Sequence, residues 1–214
     1  TMAHVYAHND FFKNNRMFKK YTKANLVIEM FKNHANRIRG YIQDPSIGYE
    51  QVEQILDAAH AIKFQCGIFE NEKENNIESN LQNGICSGNL LKFIIENSYL
   101  EEWQRDIITV IMEESRYFIP QIETKIMNEG WASWWHYKIL QSVELPPSLQ
   151  FEFLQVHNSI ISPVPGRLNP YYIGFKIWES LDKKHQDNPA YLMTVREVER
   201  DASFIRNYLT FDLC

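Results

Sequence analysis

The chain has 214 residues, of which 44% are hydrophobic, 14% aromatic and 23% charged, as in a globular domain with a large core. Its formal net charge is −5, so no global positive field is available to hold phosphates or an anionic membrane. We therefore expect no nucleic-acid partner. No apolar run approaches the roughly 20 residues that cross a bilayer, so no membrane span is predicted.

The three cysteines, Cys66, Cys86 and Cys214, are widely spaced and form no C-x-x-C pair. This pattern disfavours both a disulfide framework and a zinc ribbon. The first residues lack the basic and apolar segments of a signal peptide. Together these features predict a cytoplasmic protein.

Glycine and proline are sparse, at 8 each, and cluster in a few connections, which is typical of long helices. The predicted fold is mainly α, a single compact multi-helix domain with few or no strands. Helical periodicity predicts the following helices: 2–39 with a break near Asn14-Asn15, 52–62, 90–97, 100–117, 122–140, 147–160, 171–184 and 194–209. Residues 70–89 are polar and aperiodic, which predicts a solvated loop.

Two prolines mark expected helix boundaries. Pro120 predicts a break or a first helical turn, because proline is tolerated there and not in a helix interior. Asn169 followed by Pro170 is typical of an N-cap residue and the first position of a helix.

His4 and His8 are four residues apart, so on a helix both imidazoles lie on one face, about 6 Å apart in rise. Zinc-binding helices present two nitrogen ligands at this spacing. In the zinc-protease form, H-E-x-x-H, the glutamate is the general base, and Val5 stands at that position here. The pair predicts either two metal ligands or two histidines on the polar face of an ordinary helix.

Residues 128–136 (Asn-Glu-Gly-Trp-Ala-Ser-Trp-Trp-His) contain three tryptophans among small residues, which predicts close packing. A carboxylate here, Glu129, is then partly buried and must be paired, metal-bound or protonated. Gly130 costs about 1 kcal/mol in a helix relative to alanine, which indicates a close backbone contact. Glu129 and His136 share a face but are about 10.5 Å apart along the axis, so they are not an easy chelating pair. Glu129 is therefore either a ligand or a buried carboxylate hydrogen-bonded to the first helix.

Other polar residues could line a pocket around these candidates. His157 could supply a further ligand or a proton-transfer group, or it could have a capping or surface role. Asn128 and Asn169 are further pocket candidates. His34 has no partner pattern and is predicted to face solvent, whereas His60, among alanines, is predicted to be buried. The motifs of dinucleotide enzymes, P-loop ATPases and α/β-hydrolases are absent from the sequence.

Several blocks of the sequence together resemble one family, that of stage V sporulation protein R (SpoVR). The blocks are HVYAHNDFFKNN at 4–15, WQRD at 103–106, PQIETKIMNEGWASWWH at 120–136 and GRLNPYYIGF at 166–175. They occur in the family's order and span most of the chain. The chain is thus identified as resembling the central helical domain of a SpoVR-like protein over 1–214, and the resemblance implies a fragment of a longer protein, because family members extend beyond both ends.

The resemblance implies a bacterial cytoplasmic factor in spore cortex formation that works through protein partners of the sporulation pathway. It supplies no reaction, so whether the protein is an enzyme stays open.

A second analogy concerns some zinc peptidases, in which an H-x-x-x-H helix precedes a separate helix whose E-G-W-A glutamate is the third ligand. His4, His8 and Glu129 follow that order. The alternative hypothesis is therefore a metal-dependent hydrolase that acts on a peptide or cell-wall-related substrate with zinc or iron. Glu129 and His136 would be its catalytic residues, with His136 stabilising charge or moving a proton.

Overall fold

A computed structural model describes residues 2–22, 25–64, 90–163 and 165–213. These ranges contain eleven α-helices and no β-strand, so the prediction of a mainly α fold is confirmed. The helices are α1 Met2–Asn14, α2 Arg16–Tyr21, α3 Val27–Gln43, α4 Gly48–Ile62, α5 Leu90–Asn97, α6 Glu102–Glu123, α7 Lys125–Ser142, α8 Pro147–Ile160, α9 Pro170–Lys184, α10 Ala190–Val198 and α11 Asp201–Tyr208. The predicted loop at 70–89 lies outside the described residues. Among the helices that are described, none has the length and apolar character that spanning a bilayer requires.

Three helix boundaries have clear local causes. The predicted break near Asn14-Asn15 occurs at Asn15, whose Oδ1 accepts a hydrogen bond from the Met17 amide and starts α2. The break predicted at Pro120 is wrong, because α6 continues through it to Glu123, and Thr124 then precedes α7 as its N-cap residue. The last predicted helix is divided in two, since α10 ends at Val198 and α11 begins at Asp201.

The described helices belong to two compact units. Unit 1 comprises Thr1–Tyr21 and Pro120–Cys214, and unit 2 comprises Thr22–Ile119. Unit 2 is built from α3, α4, α5 and most of α6. Its core contains Val52, Leu91, Ile107 and Ile111.

Unit 1 is organised around α7, which packs mainly against α1 and α9. Its centre is a set of large, fully buried side chains: Phe11, Met127, Trp131, Ile177, Trp178 and Phe204. The Trp131 and Trp178 rings lie 4.7 Å apart in an edge-to-face arrangement, a favoured geometry for aromatic pairs. This tryptophan core makes α7 a rigid support for the polar residues on its other faces.

The close approach of α7 to α9 depends on two glycines. A Cβ atom on Gly130 would collide with the backbone of Gly174, and one on Gly174 would collide with the carbonyl oxygen of Ile126. The close backbone contact predicted at Gly130 is therefore made where α7 and α9 cross. The crossing holds the start of α9 against the turn of α7 that carries Glu129.

The N-terminus of α7 is capped by a side chain from another helix. Asp201 at the start of α11 accepts hydrogen bonds from the backbone amides of Ile126 and Met127, each at 2.8 Å. Carboxylates at a helix N-terminus satisfy amides that have no partner within the helix. Burial nevertheless raises the pKa of Asp201 to about 6.

Candidate metal centre

Two helices of unit 1 bring the predicted ligands to one point. His4 and His8 lie on the face of α1 that packs against α7, and Glu129 lies on α7. One nitrogen of each histidine and one oxygen of Glu129 all lie within 4.8 Å of one another. The two Nε2 atoms are 3.0 Å apart, and His8 Nε2 is 3.5 Å from Glu129 Oε2. This is the only such group of three or more metal-ligating residues in the described part of the chain.

A hydrogen bond to Asn128, on the side of the ring opposite Nε2, fixes the orientation of His8. His8 Nδ1 lies 2.9 Å from Asn128 Oδ1, and Asn128 is buried beside the tryptophan core. Because an amide oxygen only accepts, Nδ1 carries the proton and donates it. The Nε2 lone pair of His8 therefore points toward His4 and Glu129, and this arrangement of ligand and supporting group is typical of metal-binding histidines.

His4 has a lowered pKa at this position. Burial lowers its pKa below the usual 6.5, and the neighbouring His8 lowers it further. Glu129 and a hydrogen bond to the Ala132 backbone act in the opposite direction and only partly offset the shift. His4 is therefore unprotonated near pH 7, which is the form that binds metals.

Tyr171 lies close to the centre, a placement that the sequence analysis did not identify. It is in the first turn of α9. Burial and the charge of nearby Glu129 raise the pKa of Tyr171, so it stays protonated. Its place two residues after the predicted N-cap was the available signal, but the sequence alone does not show which helix face meets Glu129.

His136 lies beside the three proposed ligands and is not one of them. Its ring centroid is 5.8 Å from that of His4 and 5.4 Å from that of Phe153. Burial lowers the pKa of His136 to about 4, with smaller contributions from the charge of the chain N-terminus and from His4 and His157. The side chain is therefore a neutral imidazole at the edge of the centre.

His157 is more deeply buried than the predicted roles, a ligand or proton-transfer group or a capping or surface residue, require. It is 4% exposed, and its ring lies against Tyr137, Phe153 and Phe175. Its Nε2 atom is buried and has no hydrogen-bond partner among the residues that the structure describes, and burial lowers the pKa of His157. His157 is thus an aromatic core residue on the side of the centre where His136 lies.

Asn169 acts as the predicted helix cap. Its Oδ1 accepts from the Tyr171 amide at 3.0 Å, and its Nδ2 donates to the backbone oxygens of Ile160 and Ser162. It therefore fixes the start of α9, which carries Tyr171, and makes no described contact with the three ligands.

Two predictions for unit 2 histidines are wrong. His34 is 4% exposed because it is enclosed by Glu113 and Glu114, and His60 is exposed because it lies on the outer face of α4. His34 Nε2 is 3.1 Å from Glu113 Oε2, and His34 Nδ1 is 3.2 Å from Glu114 Oε1.

The chemistry of the donor set in unit 1 fits a transition metal ion. Two histidines and a glutamate form one of the known ligand sets of catalytic zinc, and two histidines with one carboxylate also bind non-haem iron. The His8 and Glu129 side chains are each 20% exposed, so solvent reaches the ligands. A centre with three protein ligands and access to solvent leaves a coordination position for water or substrate.

Comparisons with known proteins point to one family. The family described as "SpoVR like protein" matches residues 1–87 and 70–214. The chain is 29% identical over 233 residues to "Uncharacterized protein YcgB" of Escherichia coli (strain K12), an alignment that covers 85% of this chain and 45% of the relative. The chain thus spans less than half the length of that relative, and no solved structure matches it. The chain belongs to the SpoVR-like family.

Proposed function

We propose that the chain binds a zinc or iron ion through His4, His8 and Glu129 and uses it as a metal-dependent hydrolase. The observation that supports this proposal is the convergence of the three ligand atoms within 4.8 Å. The substrate class that we propose is a peptide or a cell-wall-related compound, in line with the similar order of ligands in zinc peptidases.

The two facing imidazoles give a physical reason for a cation at this point. His8 Nδ1 donates to Asn128, so His8 Nε2 presents a lone pair toward His4 Nε2, 3.0 Å away. Two nitrogen lone pairs at this distance repel each other unless a proton or a metal ion lies between them. Nearby Glu129 adds a negative charge, which strengthens the preference for a divalent cation over a single proton.

The residues around the ligands have separable roles in hydrolysis. A bound zinc ion would polarise a substrate carbonyl and lower the pKa of water at the open position. The chain has valine at position 5, so the usual glutamate base is absent. His136 is the group that we assign to stabilising charge or moving a proton, because its ring centroid lies 5.8 Å from that of His4.

The family suggests a second function, which is compatible with the first. We propose that the protein acts in the cytoplasm as a factor in spore cortex formation, through protein partners of the sporulation pathway. Deletion of the native gene in a spore-forming host should give spores with a defective cortex. If the metal centre serves this function, a gene carrying Glu129→Gln should not restore the cortex.

The metal proposal is tested by elemental analysis of the purified chain. We expect about one zinc or iron per chain, and loss of that metal in Glu129→Gln. Glu113→Gln is the matched control, because Glu113 also contacts a histidine but belongs to the unit 2 cluster. Absence of metal from the wild type after supplementation with zinc and iron, or full metal content in Glu129→Gln, would contradict the proposal.

A further inference from the structure

The carboxylate of Asp10 joins three helices of unit 1 beside the proposed metal centre. Its Oδ2 accepts a hydrogen bond at 3.1 Å from Trp131 Nε1, on α7. Arg196 Nη1, on α10, lies 2.7 Å from Asp10 Oδ1 and 2.5 Å from Oδ2. Because Asp10 itself belongs to α1, this one side chain connects α1 to both α7 and α10.

The hydrogen bond between Asp10 and Trp131 is made close to a proposed ligand on each helix. Asp10 is two residues after His8 on α1, and Trp131 is two residues after Glu129 on α7. On both helices this is less than one turn. The contact therefore joins the two helices next to the point where His8 Nε2 and Glu129 Oε2 are 3.5 Å apart.

Arg196 holds the Asp10 carboxylate in place from the third helix. Its side chain is 9% exposed, and its guanidinium carbon lies 5.6 Å from the centroid of the Trp131 ring. In the described part of the chain, Asp10 is the one carboxylate that pairs with this cation. A buried arginine without its carboxylate is an uncompensated charge, so the two side chains depend on each other.

The backbone around Arg196 is also attached to the end of α1. Asn15 follows α1 and is fully buried. Its Nδ2 donates to the backbone oxygen of Arg196 at 2.8 Å and to that of Glu199 at 3.0 Å. The end of α10 therefore has a fixed place relative to α1, from which Arg196 reaches Asp10.

We propose that Asp10 and Arg196 are positioning residues that set the distance between α1 and α7 and so tune the metal affinity of the centre. Asp10 does not belong to the group whose ligand atoms converge, so it acts through the helix and not on the ion. Metal sites need ligand distances within about 0.2 Å of the ideal values. Since α1 carries both His4 and His8, a small shift of this helix moves two of the three ligands away from Glu129. This inference rests on the proposed metal centre.

The test uses the full 214-residue chain and cobalt(II), whose visible absorption reports both bound metal and its coordination geometry. The dissociation constant and the spectrum are measured for the wild type, Asp10→Asn and Arg196→Lys. Each variant should bind cobalt(II) about ten- to hundredfold more weakly, as is usual when a supporting group is lost, and with an altered spectrum. Glu123→Gln is the matched control, because it breaks a partly buried ion pair with Arg200 in the same unit without involving α1.

A double variant shows whether Arg196 acts through Asp10. Asp10→Asn combined with Arg196→Lys should bind cobalt(II) no more weakly than the weaker of the two single variants, because both substitutions break the same pair. Far-UV circular dichroism checks that each protein is folded. Arg196→Lys keeps the positive charge beside Asp10, so it tests the proposal even if Asp10→Asn does not fold.

Each other outcome overturns a definite statement. If the wild type binds no cobalt(II), the metal centre itself is wrong. If the wild type and the variants bind cobalt(II) with one affinity and one spectrum, the metal centre stands and the role of Asp10 and Arg196 is wrong. If Glu123→Gln weakens binding as much, the loss reflects stability in general and the inference is overturned. Additive losses in the double variant would also overturn it, because Arg196 would then not act through Asp10.

Discussion

Each unit of the molecule contains a cluster of histidine and carboxylate side chains, and the two clusters are built differently. In unit 1, two histidines and Glu129 direct one ligand atom each toward a common point. In unit 2, one buried histidine, His34, lies between Glu113 and Glu114, with one ring nitrogen facing each carboxylate. The nitrogens of one ring point away from each other, so the second cluster has no common point for an ion.

This difference shows that composition alone does not identify a metal centre. Both clusters are partly buried and contain the residue types that bind metals. Only the unit 1 cluster has a supporting amide, from Asn128, that directs a ring nitrogen into the group. The unit 2 cluster is a set of structural hydrogen bonds around one buried ring.

The test that best separates the two clusters replaces one histidine of each cluster with alanine. His8→Ala should reduce zinc affinity by more than about a hundredfold, because it removes a ligand. Loss of a group that only supports a ligand costs up to about a hundredfold. His34→Ala should leave zinc affinity unchanged but lower the free energy of unfolding by about 1–3 kcal/mol, because buried hydrogen bonds are lost. Zinc titration calorimetry and urea unfolding of the metal-free proteins measure the two effects. Zinc affinity that fell equally in both variants would remove the distinction between the clusters.

The close approach of α7 and α9 at Gly130 and Gly174 predicts that a larger residue at Gly130 strongly destabilises unit 1. A glycine of unit 2 provides the control. Gly130→Ala should lower the free energy of unfolding by about 3 kcal/mol, because the new methyl group meets the backbone of Gly174, which cannot move aside as a side chain can. Gly40→Ala, on α3, places its methyl group in open space and should instead stabilise the protein by about 0.5–1 kcal/mol. Urea unfolding compares the two variants. Equal stability of Gly130→Ala and the wild type would contradict the close crossing.

Removal of the Asn128 side-chain amide, which hydrogen-bonds to His8, should reduce zinc affinity less than removal of a ligand does. In Asn128→Ala, zinc affinity should fall by about ten- to hundredfold, because His8 loses the hydrogen bond that fixes its ring. Asn9→Ala, at an exposed position of the same α1 helix as His8, should bind zinc as the wild type does. Calorimetric titration at pH 7 measures both. An unchanged affinity in Asn128→Ala would mean that the ring is oriented by other contacts.

A further expected effect is a pH dependence of stability in the metal-free protein. The folded-state pKa of His136 is about 4, below the usual 6.5, so between these values the unfolded chain binds more protons than the folded chain. The contribution of His136 to stability is therefore fully present above pH 6.5 and is lost as the pH falls toward 4. Relative to His136→Gln, the wild type should lose stability over that range in urea unfolding with a chelator present. A constant difference between the two proteins at pH 7 and pH 4.5 would contradict the lowered pKa.

Local patterns predicted much of the fold and the three residues that converge in the proposed centre. The periodicity of α5 and α8, and the Asn169-Pro170 start of α9, gave helix positions close to those observed, because caps and apolar spacing act within a few residues. The spacing of His4 and His8 likewise placed both rings on one helix face. Glu129 was singled out by its tryptophan-rich surroundings.

The remaining features depend on contacts between helices, which no local pattern encodes. Tyr171 lies near Glu129 because Gly130 and Gly174 let α7 and α9 approach closely. His34 was predicted to face solvent because its partners, Glu113 and Glu114, are about 80 residues away in sequence. Pro120 stays within α6, which ends at Glu123. The next residue is Thr124, whose hydroxyl donates to the Pro120 carbonyl oxygen.

The most direct test of the central claim is anomalous X-ray diffraction at the zinc edge from crystals of the chain soaked in zinc. The account predicts one strong peak in unit 1, about 2.0–2.2 Å from the Nε2 atoms of His4 and His8 and from a Glu129 carboxylate oxygen. No peak at that position, or a peak at the His34 cluster instead, would contradict it.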